Sequence, residues 1–515
     1  MRRSRVIFLL LTLAVLLLAG MLRFVNLRSA PGWYSDEGVF IHFATQLQQG
    51  HWQTHGIQSA FSIQRLPLFP YLLTLAFSLS GAADIGVARA VSVLSSLAGL
   101  MVLMMAVRRM VGPRLALWAG LFVALLPWVV AYQRMALTYN LTGLWMLIFW
   151  AACWWMLNEP QRPGWLLAAI SAGLAVSTDY LGGVAALVLA IVLLIYQRRR
   201  FWPALAVGAA TVLLIALPAL LTSANAWTEI RLTLLGRGEA GSQSGLLSIL
   251  LNLGELFRRE TWVFLGISGL ALLPDRRARN LALALVSLTL LLVTRSYTPV
   301  GYGFHYLLHL FPFFALGLAV FFDQALCFVR TRLLPEWTAA LEPLFVSRPL
   351  PGQAVQRGLR LLLGVLLFAS PWIWMMLADA AIVFYNTPFL FTGNDELNLT
   401  AAADADQVAA YLRQHAEAND LIVASPQIVW AMPGQQTDYM AVAIYDGKAT
   451  TPLSITLRTL FLYPSGLNDV EYAILDPLAR NFAPKVVPGM QDYITEIETW
   501  PLVFQSGALS VYRAP

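Results

Sequence analysis

The sequence predicts a polytopic α-helical membrane protein that carries a small α/β domain at its C-terminal end. The 515-residue chain is 58% hydrophobic and 12% charged, and its mean hydropathy is +0.65, which excludes an ordinary soluble globular protein. Apolar stretches near the ~20 residues needed to cross a bilayer recur between residues 6 and 322 and return at 359–380. The segment 381–515 has the mixed composition of a soluble domain.

Eleven membrane spans follow from the apolar pattern. The first, 6–22, comes after Arg2, Arg3 and Arg5. We expect it to be a retained anchor, because many spans come after it and the residues that follow it do not form a convincing small-residue cleavage site. The other spans are predicted at 85–107, 114–132, 138–157, 164–179, 182–196, 203–221, 260–274, 279–294, 304–322 and 359–380.

Arginine clusters in short loops predict the orientation, because positively charged loops face the cytoplasm. Four clusters alternate with the spans as this rule requires: Arg108, Arg109 and Arg114; Arg198–Arg200; Arg276, Arg277 and Arg279; Arg330 and Arg332. A cytoplasmic N-terminus and eleven spans then put the C-terminal domain outside a plasma (inner) membrane. The apolar segment 67–80 is short and contains Pro67 and Pro70, so we expect it to lie at the interface rather than to cross.

The predicted organisation has two parts. A membrane domain covers 1–380 and exposes two outer segments, 23–84 with its juxtamembrane helices and 222–259 with a Gly/Ser-rich centre. A soluble extracytoplasmic α/β domain covers 381–515. Its pattern predicts a helix at 406–417, strands at 421–424 and 470–475, and a terminal hairpin formed by 502–505 and 509–512.

Two adjacent carboxylates, Asp36 and Glu37, begin an amphipathic stretch in the first outer segment. The apolar spacing of Val39 and Phe43 predicts a helix, and Ser35 as N-cap puts both acids in its first turn. In one interpretation they complement the helix dipole. In the other, the helix N-terminus keeps a carboxylate ionised at the membrane surface as a general base, a role that contributes about 10²–10⁴ in rate.

Three of the six histidines, His42, His51 and His55, lie in the same outer loop. Imidazole is a common ligand of divalent metal ions. Nothing else in the loop supports a metal site, so two interpretations stay open. The histidines are either surface polar side chains or ligands of a divalent cation.

Cationic groups on the predicted outer face run against the orientation bias and are therefore informative. They are Arg65, Arg89, Arg134, Arg258, Arg259 and His305. Together they could hold the phosphate of a lipid, and singly each could snorkel or contact headgroups. Asp179, at the outer end of a span, is either functional or paired with an arginine.

Several short motifs occur in a characteristic order. Asp-Glu opens a helix at 33–49, a Pro-containing helix follows at 65–80, Gly86-Val87-Ala88-Arg89 opens the second span, Ser177-Thr178-Asp179-Tyr180-Leu181-Gly182 forms a turn, and His305-Tyr306 precedes Pro312. In these motifs and their order the chain resembles the GT-C superfamily of polytopic glycosyltransferases. Within it, the chain is similar to the branch of the lipid A aminoarabinose transferases and protein O-mannosyltransferases.

The resemblance implies a GT-C-like fold and an inverting transferase. Such an enzyme moves a hexosyl or pentosyl group from a polyprenyl-phosphate carrier to a hydroxyl of a lipid, glycan or protein at the outer membrane face. It implies Asp36 as the catalytic base, with Glu37 beside it. It further implies donor-phosphate binding by Arg65, Arg89, Arg258, Arg259 and His305, and substrate binding by Tyr34, Tyr71, Asp179 and Tyr306. This chemistry requires no cofactor, a divalent cation being the alternative, and no nucleic-acid partner is expected.

Two other functions compete with this one. A lipid or glycan transporter or flippase predicts ionisable residues inside spans and symmetry-related repeats, and the sequence contains little of either. A non-catalytic membrane scaffold predicts that the outer loop tolerates Asp36→Ala. Loss of transfer in an Asp36 variant therefore separates the enzyme from the scaffold.

Overall fold

The computed structural model describes residues 2–50, 66–159, 163–222, 246–295, 304–329, 369–385, 399–448 and 461–515, with the isolated positions 331, 358 and 362. The described residues before 386 form helices and their connections. Its α-helices are α1 Arg2–Phe24, α2 Ser35–Gln48, α3 Leu68–Ser80, α4 Ile85–Met110, α5 Pro113–Leu125, α6 Pro127–Gln133, α7 Thr138–Asn158, α8 Gly164–Thr178, α9 Gly183–Tyr196, α10 Phe201–Thr222, α11 Leu246–Arg259, α12 Thr261–Ala271, α13 Arg276–Arg295, α14 Phe311–Phe328 and α15 Ser370–Tyr385.

The apolar helices confirm a multi-pass helical membrane protein. Among the described residues, six helices are long and apolar enough to cross a membrane, or seven when a bent pair counts as one span. The other four predicted spans correspond to shorter apolar helices, namely α8, α9, α12 and α15. A further short apolar helix, Leu68–Ser80, is the one predicted to lie at the interface. The total of eleven spans stays a prediction.

The span predicted at 114–132 is a bent pair of helices in the structure. Helix α5 ends at Leu125, α6 begins at Pro127, and their axes differ by 62°. Proline lacks an N–H and disfavours helical geometry at the residue before it. Leu126 is accordingly extended, with φ −71° and ψ 117°. The bend redirects α6, which ends at Gln133 and is followed by Arg134.

The C-terminal domain is built on a five-stranded sheet of order β2-β1-β3-β5-β4. The strands are β1 Leu421–Ala424, β2 Gln435–Asp438, β3 Tyr472–Leu475, β4 Leu502–Ser506 and β5 Leu509–Arg513. The helices are α16 Ala402–His415, α17 Pro426–Val429, α18 Tyr439–Tyr445, α19 Pro477–Asn481, α20 Ala483–Val486 and α21 Met490–Ile497. Strand β1 is parallel to β2 and β3, while β5 is antiparallel to β3 and β4.

This architecture confirms the predicted small α/β domain and its terminal hairpin. Strand β3 is shorter than the predicted 470–475, and α16 begins at Ala402 instead of residue 406. Strand β2 was not predicted, because Gln-Gln-Thr-Asp lacks the apolar side chains that mark a strand. Helix α15 runs to Tyr385, so it continues past the proposed domain boundary, and the division into 1–380 and 381–515 stays a prediction.

One apolar cluster is shared by the membrane bundle and the C-terminal domain. Phe40 of α2 and Phe69 of α3 belong to the same buried cluster as Ile428 and Trp430 of the C-terminal domain. At the surface Arg28 pairs with Asp406 of α16 at 2.6 Å. Helix α2 therefore lies between the bundle and the C-terminal domain.

Candidate active site

Asp36 lies in the first turn of α2. The helix begins after Tyr34, whose backbone is extended (φ −110°, ψ 146°) and whose carbonyl accepts the Gly38 amide at 3.3 Å. The predicted N-cap, Ser35, is thus the first helical residue and Tyr34 is the N-cap, a correction of one position. Both acids remain in the first turn, as predicted.

The two carboxylates occupy different environments. The side chain of Glu37 is 0% exposed, whereas that of Asp36 is 18% exposed. Glu37 Oε1 accepts from Arg89 Nε at 2.8 Å and from the Ala136 amide at 2.7 Å. Its Oε2 accepts from Arg89 Nη2 at 2.7 Å and from the Tyr34 amide at 3.1 Å. Because both Glu37 oxygens hold protein groups, this geometry favours a positioning role for Glu37 beside Asp36.

Arg89 binds the loop that leads into α2. Besides Glu37, its guanidinium donates to the carbonyls of Leu27, Pro31 and Gly32 at 2.8–2.9 Å. The side chain is fully buried. All five of its N–H groups are therefore used within the protein, and the predicted binding of a donor phosphate by Arg89 does not fit this geometry.

Arg134 binds the same loop from the C-terminal end of α6. It donates to the carbonyls of Leu22 at 2.6 Å, Val25 at 2.8 Å and Ala30 at 2.8 Å. An irregular buried loop leaves carbonyl groups without regular partners, and these must be satisfied by other donors. Two buried guanidinium groups thus hold the backbone that carries Asp36.

His305 approaches Asp36 from a part of the chain far away in sequence. It lies in the 3-10 helix Phe304–Leu310, which leads into α14. Its Nε2 is 3.8 Å from Asp36 Oδ2, and the two side chains are 12% and 18% exposed. Asp36, the predicted base, and His305, one of the predicted phosphate-binding cations, are therefore neighbours.

Three tyrosines surround the His305 ring. The ring centroids of Tyr34, Tyr139 and Tyr306 lie 5.9, 6.0 and 4.2 Å from it. Tyr34 and Tyr306 were predicted substrate residues. Tyr139 was missed because an aromatic residue at the start of a predicted span is typical of core packing. Its position at the outer end of that span, among polar residues, is the signal that could have found it.

The other described site residues that were predicted lie on α3, on α11 and at the turn after α8. Tyr71 is in the first turn of α3, and α3 contacts α2 through the hydroxyl of Thr74, which donates to the Ala44 carbonyl at 3.1 Å. The Asp179 carboxylate accepts the Leu181 amide at 2.9 Å and so caps a 3-10 turn. Arg258 and Arg259 both pair with Glu255 on their own helix, α11.

Of the three histidines predicted to share one loop, His42 lies on helix α2 instead. His42 is buried on α2, while His51 and His55, like Arg65, lie outside the described residues. Across the described ranges, the structure contains no group of three or more His, Cys, Asp or Glu side chains that could hold a metal ion. The candidate site there consists of Asp36, His305 and the surrounding tyrosines.

Comparison with known proteins supports the resemblance that the sequence suggested. The sequence model of the dolichyl-phosphate-mannose-protein mannosyltransferase family matches residues 64–222. No curated protein sequence matches the chain. The agreement of the family model with the structural matches below confirms the resemblance.

Two solved structures share the fold over nearly the whole chain. The crystal structure of ArnT from Cupriavidus metallidurans bound to undecaprenyl phosphate has a TM-score of 0.61 at 15% identity, covering 99% of this chain and 97% of that chain. The archaeal oligosaccharyltransferase AglB from Archaeoglobus fulgidus, in complex with an inhibitory peptide and a dolichol-phosphate, has a TM-score of 0.52 at 11% identity. It covers 95% of this chain and 72% of that chain. At these identities the likeness shows the fold alone.

Proposed function

We propose, on the premise that this chain has the fold of the GT-C glycosyltransferases, that it transfers a sugar from a polyprenyl-phosphate carrier to an acceptor hydroxyl at the outer membrane face. The approach of Asp36 and His305 to 3.8 Å, with both side chains partly exposed, carries the proposal. The undecaprenyl phosphate and dolichol-phosphate bound to proteins of this fold support the choice of carrier. The arginine-rich loops between spans support an outer-face site.

The reaction follows from the two side chains. The Asp36 carboxylate takes the proton of the acceptor hydroxyl while the oxygen forms a bond to the anomeric carbon, on the face opposite the phosphate. The bond from that carbon to the phosphate oxygen breaks, and its electron pair stays on the polyprenyl phosphate. Configuration at the carbon inverts. Phosphate is a good leaving group, so no general acid is needed.

The departing phosphate needs cationic partners. His305, when protonated, stabilises the charge that develops on the phosphate oxygen. Arg258 and Arg259 stay candidates for the phosphate because their side chains are 71% and 31% exposed and can exchange Glu255 for a ligand. Arg65 stays a candidate from sequence alone. Tyr34, Tyr139 and Tyr306 offer aromatic faces and hydroxyl groups to the sugar.

Asp36→Asn tests this proposal. Purified protein is supplied with undecaprenyl-phosphate-linked hexose or pentose and a cell-envelope extract as acceptor source, and release of undecaprenyl phosphate is followed by mass spectrometry. Removal of the base should lower the rate at least about 100-fold, with protein yield and melting temperature unchanged. Asp492→Asn, at an exposed acid of the C-terminal domain, is the matched control and should retain full activity. Full activity of Asp36→Asn contradicts the proposal, and a product with retained anomeric configuration contradicts inversion.

Measuring carrier binding separates the role of Asp36 as base from the role of His305 as phosphate contact. Native mass spectrometry with undecaprenyl phosphate should find the carrier on the wild type and on Asp36→Asn, because the base is not a phosphate ligand. His305→Ala should bind the carrier more weakly. Equal binding by His305→Ala and the wild type would show that His305 does not contact the phosphate.

A further inference from the structure

The C-terminal domain binds the backbone at the start of α2. The backbones of Trp33 and Thr400 bond in both directions, with Trp33 N to Thr400 O at 2.7 Å and Thr400 N to Trp33 O at 3.0 Å. The Trp33 ring also packs against Trp430 with centroids 5.0 Å apart. Trp33 immediately precedes the N-cap residue Tyr34, so a displacement of Thr400 moves the beginning of the helix that carries Asp36.

Two glycines allow this close approach. A Cβ at Gly38 would lie 1.9 Å from the carbonyl oxygen of Pro426, and a Cβ at Gly32 would lie 2.7 Å from that of Thr400. No side chain fits at either distance. The backbone of α2 and of the loop before it therefore lies directly against the backbone of the C-terminal domain on both sides of Tyr34.

Behind these contacts lies a buried polar chain inside the C-terminal domain. Gln427 Nε2 donates to Thr400 Oγ1 at 2.7 Å and to Asp476 Oδ2 at 3.0 Å. Ser425 Oγ donates to Asp476 Oδ1 at 2.7 Å. All four side chains are at most 3% exposed. Leaving a buried polar group without its hydrogen-bond partner costs free energy of folding. These hydrogen bonds therefore hold Thr400 in a defined place.

The position of this chain in the sheet is informative. Ser425 follows β1 and Asp476 follows β3, so both lie at the carboxyl ends of parallel strands. Open α/β sheets hold their ligands outside this edge. In this protein the loop before α2 and the start of α2 occupy that edge, and they contact it at Trp33 and Gly38.

We propose that Thr400 and Gln427 are positioning residues for the transfer reaction, through which the C-terminal domain sets where Asp36 meets His305. This inference rests on the proposed function for its catalytic consequence. The Asp36–His305 distance depends on where α2 begins, since His305 belongs to the membrane bundle and Thr400 to the C-terminal domain. A misplacement near 1 Å costs up to about 100-fold in rate.

Three variants and one control test the positioning role. Gln427→Ala and Thr400→Val remove the hydrogen bond between the two side chains, and Thr400→Ser restores the hydroxyl. Asp406→Asn breaks the exposed interdomain pair with Arg28 and leaves the buried chain intact. All four are made in the full-length protein in nanodiscs.

Hydrogen exchange at the amides of Gly38 and Val39 measures how stably the start of α2 is held, independently of activity. Loss of one buried hydrogen bond should speed this exchange about tenfold in Gln427→Ala and Thr400→Val. Thr400→Ser and Asp406→Asn should exchange like the wild type. Unchanged exchange in Thr400→Val, or equal acceleration in Asp406→Asn, overturns the proposal.

The transfer assay adds the catalytic consequence. Gln427→Ala and Thr400→Val should lower kcat with KM for the undecaprenyl-phosphate-linked sugar unchanged, and Thr400→Ser should recover kcat. A change in KM alone overturns the positioning role. If Asp36→Asn keeps full activity, the proposed function fails, while the exchange measurement still decides whether the C-terminal domain positions α2.

Discussion

Replacing Glu37 by glutamine separates the roles of the two adjacent acids. The change keeps the shape of the side chain and removes its charge. Arg89, 0% exposed, then keeps its positive charge without the carboxylate that it faces. The amide nitrogen of the introduced glutamine would also face donors at one of the two positions where Glu37 now accepts, either Arg89 Nε and the Ala136 amide or Arg89 Nη2 and the Tyr34 amide.

The expected loss is large because the pair is buried. Breaking a buried ion pair by removing one partner costs about 3–5 kcal/mol. Four hydrogen bonds end on the Glu37 carboxylate, and the substitution turns the two that end on one oxygen into donor–donor contacts. Since the free energy of unfolding of proteins is about 5–15 kcal/mol, Glu37→Gln should remove a substantial part of it.

Thermal denaturation in detergent, followed by size-exclusion chromatography with tryptophan fluorescence, measures this loss. Glu37→Gln should melt several degrees below the wild type and give a lower yield, whereas Asp36→Asn should melt like the wild type. The double variant Glu37→Gln/Arg89→Gln removes the uncompensated charge and should recover part of the loss. It should not recover all of it, because the carbonyls that Arg89 binds lose a charged donor.

Two outcomes would contradict a stabilising role for the buried Glu37–Arg89 pair. If Glu37→Gln melts like the wild type and yet transfers no sugar, the buried pair contributes little to stability and Glu37 takes part in the chemistry itself. Recovery of full stability in the double variant would likewise show that the carbonyl contacts of Arg89 are dispensable.

Two further predictions follow from the buried groups around α2. Burial raises the pKa of Asp476 from 3.8 to about 6. A group that binds its proton more tightly in the folded state stabilises the protein at low pH and loses that contribution as pH rises, here between about pH 4 and about pH 6. For Asp476 the contribution to the free energy of unfolding is about 3 kcal/mol. Melting temperatures should therefore show the wild type losing stability relative to Asp476→Asn across that window, and a constant difference would contradict the raised pKa. Arg134→Lys should destabilise the protein by about 2–4 kcal/mol, because one ammonium group cannot replace a guanidinium that reaches the carbonyls of Leu22, Val25 and Ala30; an unchanged denaturation midpoint would contradict this.

Local patterns predicted much of the fold. The helix of Asp36 and Glu37 was predictable because apolar spacing and first-turn acids are properties of neighbouring residues. The hairpin of β4 and β5 was predictable for the same reason. The break at Pro127 was open to prediction from proline chemistry but was hidden by the continuous apolar run around it. Strand β2 was not predictable, because its polar side chains take their place from pairing with β1 and not from their own preference.

The candidate site shows the same division more sharply. Asp36 was found from the acidic pair at a predicted helix start, and His305 from its charge at the start of a predicted span, but nothing local relates them. Arg89 looked like the other outer cations in sequence, and only the structure distinguishes it as a buried partner of Glu37. The sequence position of Tyr139 at a span end hinted at a role beyond core packing, but only the structure places its ring beside His305.

Local sequence patterns were enough to predict a multi-pass helical membrane protein with an α/β C-terminal domain and an acidic pair at a helix start, because hydrophobicity, periodicity and capping act over a few residues. Three properties come from the folded chain instead: which acid is buried, which cation meets the other acid, and that Thr400 of the C-terminal domain holds the start of α2. Those properties depend on burial and on contacts between residues far apart in the chain. The environment of a carboxylate is set by the groups packed around it, and not by the residue beside it.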